Sequence, residues 1–410
     1  MIRAAALSYA IIFALLIGLI CSGIIFITGT QKKIEIIQTN KEHVLLDSYS
    51  AIQYANVNLT IGDSAQIIHR SGDTSIVKRK AWGALMVLST ETRKNTLVKR
   101  RVALVGAMSS KKLPCLYLPG NSSSVLKLAG TTKIEGTAYV PEKKIEAAYL
   151  SGKYYVNPEM ISGEIRMAES FMPALNQQFS NLSFQEFTKG LKAQEFKRQD
   201  SNYSFFSQTT YYREMEPIIL ENRVKGNVII HSFDSILVRS TAQLENIILV
   251  APVVHFESGF QGSVQVFSAE HIRLEPKVNL IYPSTLVLNE IELKQENQRR
   301  FIEIGEESKV LGGILMTTQS YDFRKPPFLN LFEKSLVAGL VYNSGVSEIR
   351  GTVIGSLYTS SLSLNYGGGG YGNHLLDCYI SSWKLPESFC IPLWLKDMEA
   401  DSKTKIIEWI

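Results

Sequence analysis

The pattern of apolar and polar positions changes character along the chain. From Ala4 to Ile27 no residue is charged: AAALSYAIIFALLIGLICSGIIFI. At the helical rise this run spans about 36 Å, enough to cross a hydrocarbon core of about 30 Å. In lipid a helix satisfies its own backbone groups, so the run predicts a retained single-pass transmembrane anchor over residues 1–30. It is too long for the apolar core of a cleaved signal peptide. Leu19 and Ile20 precede Cys21 where a lipoprotein would carry small residues. Over residues 31–55, Ile34, Ile37, Val44, Leu45, Tyr49 and Ile52 recur between Lys, Glu and Asp, which predicts an amphipathic stalk helix. Arg3 lies before the apolar run and Lys32-Lys33 after it, so flanking charge orients the anchor weakly; a cytoplasmic N-terminus with a periplasmic or extracellular body is the expectation.

From Asn56 the period shortens. VNLTI, AQIIHR, ALMVLS and RVALVGA are short β-branched or aliphatic runs between turn residues, and they predict a small basic β-domain over 56–115. Beyond it an aliphatic-x-Gly triplet recurs, ending at Gly130, Gly136, Gly152, Gly163, Gly226, Gly313, Gly339, Gly351 and Gly355. Glycine permits the φ > 0 corners and close backbone approach that a coiled β-chain needs. An offset of 18 relates Ile236, Val254 and Ile272, then Val238, Phe256 and Leu274, then Ile248 and Val266, and Phe260 and Val278. An offset of 16 relates VAGLVYNS (337–344) to VIGSLYTS (353–360), and Gly136 to Gly152. Even offsets keep each side chain on its face, so stacked copies align their apolar rows into one core. The fold class expected is therefore mainly β: N-terminal transmembrane helix and stalk, small β-domain, then a right-handed parallel β-helix or solenoid over 116–365. A β-sandwich is the alternative with the same strand spacing. Residues 174–221, polar and aromatic, read as a helix-containing insertion; residues 321–335, with Pro326-Pro327, read as a shorter excursion. The segment 366–410 reads as a C-terminal cap.

Two resemblances follow from these residues. The apolar-then-amphipathic run over about 55 residues resembles the stem of a type IV pilin or pseudopilin; Ala5 stands where pilins carry Glu, and no basic leader ending in Gly before Phe precedes it. An ordinary anchor with a helical stalk is the other reading of the same run. The aliphatic-x-Gly corners resemble those of bactofilin-like, non-catalytic parallel β-helices. Together they imply a structural or assembly component of a bacterial envelope, of the pilus or secretion-apparatus kind.

Composition narrows the chemistry. With 410 residues and 45% hydrophobic content the chain is a folded protein of two or three units, and its four Cys are too few for a disulfide scaffold. Cys378 and Cys390 are near enough in sequence to pair in an oxidising compartment, with buried free thiols as the alternative. The net charge of +5 is mild, yet residues 70–112 hold eleven basic side chains against Asp73 and Glu91. Lys78, Arg79, Lys80, Lys99, Arg100 and Arg101 are the candidate patch for an anionic partner, with solvated strand faces as the plain alternative. Trp82 is the lone aromatic ring there, so no nucleic-acid partner is expected; the lipid bilayer, and proteins met through the stalk and the basic domain, are.

No catalytic, cofactor or metal residues emerge. The nine Asp are scattered, and Glu257 and Glu275, one 18-residue step apart, are the sole stacked carboxylates of note. His255-Phe-Glu257 lacks a second ligand pair, and His255 would face Arg273 on the next copy. Gly367–Gly372 spells GxGxxG without the βαβ setting that gives the motif meaning, and reads as a flexible loop. A membrane-tethered carbohydrate-active β-helix and a surface adhesin using 174–221 are the competing functions.

Overall fold

The computed structural model describes residues 2–108, 113–120, 125–176, 188, 190–289, 300–317, 326–392, 394–396 and 403–410. Lys111, Lys112, the centre of the 174–221 segment, and Asp322, Asp397 and Asp401 lie outside the described residues. The protein is mainly β with one long N-terminal helix. It divides into a first unit, residues 1–79 with 89–101, and a second, residues 80–88 with 102–410.

In the first unit a single α-helix, α1 (Ile2–Asn58), replaces the separate anchor and stalk, and it runs through Val57 where a strand was expected. Residues 7–39 are exposed throughout, whereas Val44, Ser48, Ala51, Ile52, Ala55 and Asn56 are buried. Their spacing of three and four residues marks one helical face. The stripe differs from the expected one: Ile34, Ile37 and Tyr49 point to solvent, and small Ala and Ser side chains bring the backbone close to its neighbours. Strand β1 (Ser64–Ile68) pairs antiparallel with β2 (Thr74–Trp82), Ser64 opposite Lys78 and Ile68 opposite Thr74. The strands β3 (Leu85–Lys94) and β4 (Leu97–Met108) follow, joined at Asn95, whose φ is +50°.

The second unit is built on parallel pairing. Ile218 lies opposite Ile236, then Val254, Ile272, Ile302 and Leu329 in succession. Leu220, Val238, Phe256, Leu274, Ile304, Leu331 and Ile349 form a second row in the same way. Both aliphatic rows are buried and belong to one core. The strands Gln261–Leu274, Asn279–Leu288, Lys309–Met316, Leu336–Ile349, Phe328–Leu331 and Phe301–Ile304 pair in a closed ring of six parallel strands. The ring closes because its two longest strands each pair twice: one half of Gln261–Leu274 meets Asn279–Leu288 and the other half meets Phe301–Ile304.

The offsets read from sequence are realised unevenly. Val337 to Asn343 face Val353 to Thr359 at the offset of 16. Ile248, however, faces Gln265, and Leu249 takes Val266, because a bulge between Glu245 and Ile247 shifts the register by one. Gly136 is followed in its ladder by Gly163 rather than Gly152, since Ile134 pairs with Ile161; Gly152 turns a hairpin, Tyr149–Leu150 with Lys153–Tyr154. Four expectations are corrected with it. The described part of 174–221 is not an insertion: Thr210–Glu214 and Ile218–Leu220 pair in register with Val228–Ser232 and Ser235–Val238. Phe328–Leu331 is a ladder strand that starts directly after Pro327, where no donor is needed. Gly367–Gly372 is no loose loop but the turn and return strand of a hairpin, Tyr366 opposite Gly369, with φ positive at Gly367 and Gly368. The C-terminal segment is no single cap: Tyr379–Ser381 enters the ladder, while Lys403–Trp409 pairs antiparallel with β4.

The order of strands in the ladder is not the order of the chain. Thr352–Tyr366 pairs onward with Tyr379–Ser381 and Leu116–Tyr117. Those two continue into Lys133–Glu135 and Ala138–Val140, which continue into Ile161–Ser162 and Ile165–Met167. Residues 116–167, expected to begin the stack, thus extend its C-terminal end. Residues 168–176 then cross a column of stacked rings, Tyr342, Tyr358, Tyr117 and Tyr139, with centroids 6.2, 5.6 and 5.5 Å apart. The Tyr117 and Tyr342 hydroxyls donate to the carbonyls of Phe171 and Pro173.

Glycines carry the corners, as expected at Gly136, Gly163, Gly226, Gly339 and Gly355, all with positive φ; at the Leu311 triplet it is Gly312 that takes this role, and Gly351 does not. Gly312, Gly339 and Gly355 form a column in which a Cβ on one would meet the carbonyl oxygen of the residue stacked before it. Beside it, a Cβ on Gly313 would lie 2.9 Å from the Trp394 ring, so a bare backbone there lets the indole seat on the ladder.

Candidate functional site

The six basic residues singled out by sequence do not share one environment. Along β2 the burial alternates, so Lys78 and Lys80 are exposed while Arg79 points the opposite way and is buried. Arg79 donates to the carbonyls of Asn56 and Leu59, closing the C-terminal end of α1, and burial lowers its affinity for the proton. On β4, Arg100 pairs with Glu91 at 2.7 Å, and Arg93 shares that carboxylate. Arg101 lies 3.6 Å over the Tyr49 ring and donates to Ser48. Lys78, Lys80 and Lys99 are exposed. Strand alternation, which a count of charges ignores, divides the run.

A polar cluster that sequence reasoning missed lies in the first unit, where the β1–β2 turn folds over α1. His69 Nδ1 is 3.4 Å from Asp47, and its Nε2 is 2.7 Å from Ser75 Oγ. Ser71 donates to the same Asp47 carboxylate, Ser75 bonds Thr92, and Lys94 pairs with Asp73 at 3.0 Å. The Asp–His–Ser order is that of a hydrolase triad, but Ser75 is fully buried and its Oγ is engaged by both His69 and Thr92. A nucleophile needs an open approach to the reacting carbon and donors for an oxyanion. The cluster joins helix to hairpin; it is built as a fastening. Its members come from α1, the β1–β2 hairpin and β3, and no spacing in the sequence connects them.

On the second unit the outward column runs Leu237, His255, Arg273, Glu303, Asn330, Glu348, so His255 does meet Arg273. Glu257 and Glu275 do not face each other as a pair of acids. Glu257 pairs with Arg239 at 2.9 Å and accepts the Ser240 amide; Glu275 lies 2.9 Å from His255 Nε2. Arg273 holds Glu303 at 2.8 Å, Lys334 holds Glu306 at 3.3 Å, and Arg350 holds Glu348 at 3.2 Å. Glu135 is held by Lys133, Tyr379 and Ser381, which keep its carboxyl down at about 2. Among the described residues no group of three His, Cys, Asp or Glu has metal-binding geometry. Cys115, Cys378 and Cys390 are buried free thiols, and Cys378 and Cys390 are not bonded to each other. Burial pushes the Cys115 and Cys378 thiols up to about 12, which keeps them protonated and poorly nucleophilic.

No family model, curated protein or solved structure matches this chain. Its chemistry has to be read from its own side chains.

His231 is the buried titratable group with the clearest consequence. Its ring is stacked with Tyr211 and packs at a tilt against Phe233, and the Tyr211 hydroxyl lies 2.9 Å from Nδ1. Desolvation, helped by the nearby Arg213 charge, lowers its pKa from 6.5 to about 4. The folded state therefore resists a proton that the unfolded chain accepts. The stabilisation is complete above about 6.5 and is lost as pH falls towards 4, by about 3 kcal/mol at the limit. Urea midpoints measured between pH 7 and pH 4 are expected to fall steeply for the native chain and less for His231→Gln.

Proposed function

We propose that this chain is a membrane-anchored, non-enzymatic structural or assembly component of a bacterial cell envelope, with its N-terminus in the cytoplasm and its body outside the membrane. The observation that carries the reading is α1. Its first part is long and apolar enough to cross a bilayer and is wholly exposed, whereas its last turns are buried in the first unit. An apolar face of that extent is stable in lipid and not in water. A long helix whose C-terminal turns pack beside an antiparallel sheet is also how a pilin is arranged, which favours the pilus-like or secretion-like reading over a plain tether.

The body we read as a right-handed parallel β-helix. From Ile218 to Ser381, register by register, each strand of the ladder is followed by one about 16 to 30 residues further along, which is what successive turns of a coil produce; the ladder then passes to Leu116–Tyr117 and Lys133–Glu135. Such a coil is a stiff spacer and display surface. The carbohydrate-active alternative calls for free carboxylates converging on a groove; Glu257, Glu275 and Glu303 are instead engaged by Arg239, His255 and Arg273.

The test is protease protection of a C-terminally tagged full-length chain in intact and permeabilised cells, with carbonate extraction of the membranes. The reading expects the chain to resist extraction, and the tag to be cleaved once the outer barrier is opened while the inner membrane stays sealed. A tag protected until the inner membrane is dissolved, or a chain released by carbonate, overturns it.

A further inference from the structure

The end of the ladder formed by Ile145–Ala147, Ile161–Ser162 and Ile165–Met167 is bare. Among the described residues each of these strands has a partner on one side, Leu126–Ala129, Lys133–Glu135 and Ala138–Val140 respectively. No described strand takes the next position, and the residues ending the core there, Ile145, Tyr155, Met160, Ile161 and Ile165, are only partly covered. Met167, Val156 and Phe171 nearby are 68%, 63% and 78% exposed. An open strand edge beside apolar surface is a template for another strand.

We propose that this end binds the same end of a second copy of the chain, edge to edge and antiparallel, about a two-fold axis lying in the plane of the terminal layer. Two observations choose that occupant. The first is backbone parity. The amides of Ala138 and Ala148 and the carbonyls of Glu164 and Leu128 are joined in the existing ladder: Ala138 N–H donates to Glu164 and Ala148 N–H to Leu128, at 2.8 Å each. In a parallel ladder alternate residues turn both backbone groups to the same side. Ile165 and Ile145 therefore turn their N–H and C=O outward. An antiparallel partner centred on the same residue exchanges both bonds with it, Ile165 with Ile165 and Ile145 with Ile145.

The second observation is charge. Each of those isoleucines is flanked by opposite charges, Lys144-Ile145-Glu146 and Glu164-Ile165-Arg166, which now pair within their own strands at 2.6 Å. Reversing the strand about its isoleucine sets Glu164 opposite Arg166 of the second copy and Lys144 opposite Glu146. Both edges are self-complementary in this register and in no parallel one, and a strand of unrelated sequence has no reason to match either. A two-fold contact of this kind is closed, so the product is a dimer and not a filament. The inference uses the pairings of the second unit alone and is independent of the location proposed above.

The experiment is sedimentation velocity on the full-length chain in detergent micelles between about 1 and 100 μM, a range that spans typical homodimer affinities. The native chain is expected to dimerise. Glu164→Arg and Arg166→Glu each place like charges opposite twice per dimer and should weaken association roughly tenfold. The combined Glu164→Arg, Arg166→Glu chain restores complementarity and should restore the dimer. Both substituted residues are on the surface, and unchanged melting temperatures of the variants confirm that each is folded. A native chain that stays monomeric overturns the second copy as occupant and assigns the edge to a different strand. A dimer indifferent to the single changes places its interface elsewhere, along α1 for example, and a double variant no better than the singles rejects the reversed register; either result overturns the proposal.

Discussion

Gly339→Ala is expected to destabilise the β-body by about 3–5 kcal/mol, the sum of a forbidden backbone angle and an overpacked contact. Gly339 sits at φ +125°, and a Cβ there would meet the carbonyl oxygen of Gly312 in the strand beneath. The backbone cannot retreat, because Gly312 and Gly339 face each other in a continuous hydrogen-bonded register. The control is Gly152→Ala. Gly152 is also at positive φ, +91°, but nothing lies within 4 Å of its Cβ position, so it should lose only about 1–2 kcal/mol of angular strain. Urea titrations followed by tryptophan fluorescence will separate the two, since Trp394 is buried against the same glycine-lined surface. Equal losses at both positions would mean that the glycine column is set by backbone angle alone.

Lys94→Met is the second large effect, this time in the first unit. Asp73 is fully buried and Lys94 pairs with it at 3.0 Å, while also donating to the Ser71 carbonyl. Removing one partner of a buried ion pair costs about 3–5 kcal/mol because the remaining charge is stranded, whereas removing both often costs little. The amide of His69, bonded to the Asp73 carbonyl at 2.9 Å, reports on this turn. Its hydrogen exchange should speed up at least a hundredfold in Lys94→Met and return most of the way in Asp73→Asn with Lys94→Met. No recovery in the double variant would show that Lys94 acts through Ser71 instead.

How far the sequence reveals this architecture depends on the range of each interaction. The long N-terminal helix, apolar enough to cross a membrane, is visible because twenty-odd uncharged residues in a row have few other uses. The rows Ile236–Val254–Ile272 and Val238–Phe256–Leu274 are visible because paired strands there follow one another at a constant offset of 18 residues. Where a bulge intervenes, as before Ile247, the same arithmetic is off by one. Polar and aromatic content disguised residues 193–220 as an insertion, although a first turn has fewer neighbours to bury against and tolerates such residues; Phe196 and Tyr203 are only partly covered. The pairing of Glu135 with Ser381 has no local signature at all, since strands of three residues carry too little pattern to announce a partner far along the chain. The basic cluster misled for a different reason: Arg79 was counted with its neighbours although strand geometry sends it the other way.

That distant pairing has a bearing on how the protein comes into being. Residues 116–167 are made well before the strands they lie against, Thr352–Tyr366 and Tyr379–Ser381. At about 5–20 residues per second a ribosome needs roughly 10–40 s to bridge that interval. Throughout it the nascent chain carries strands whose partners do not yet exist, so the ladder cannot be completed in the order of the chain.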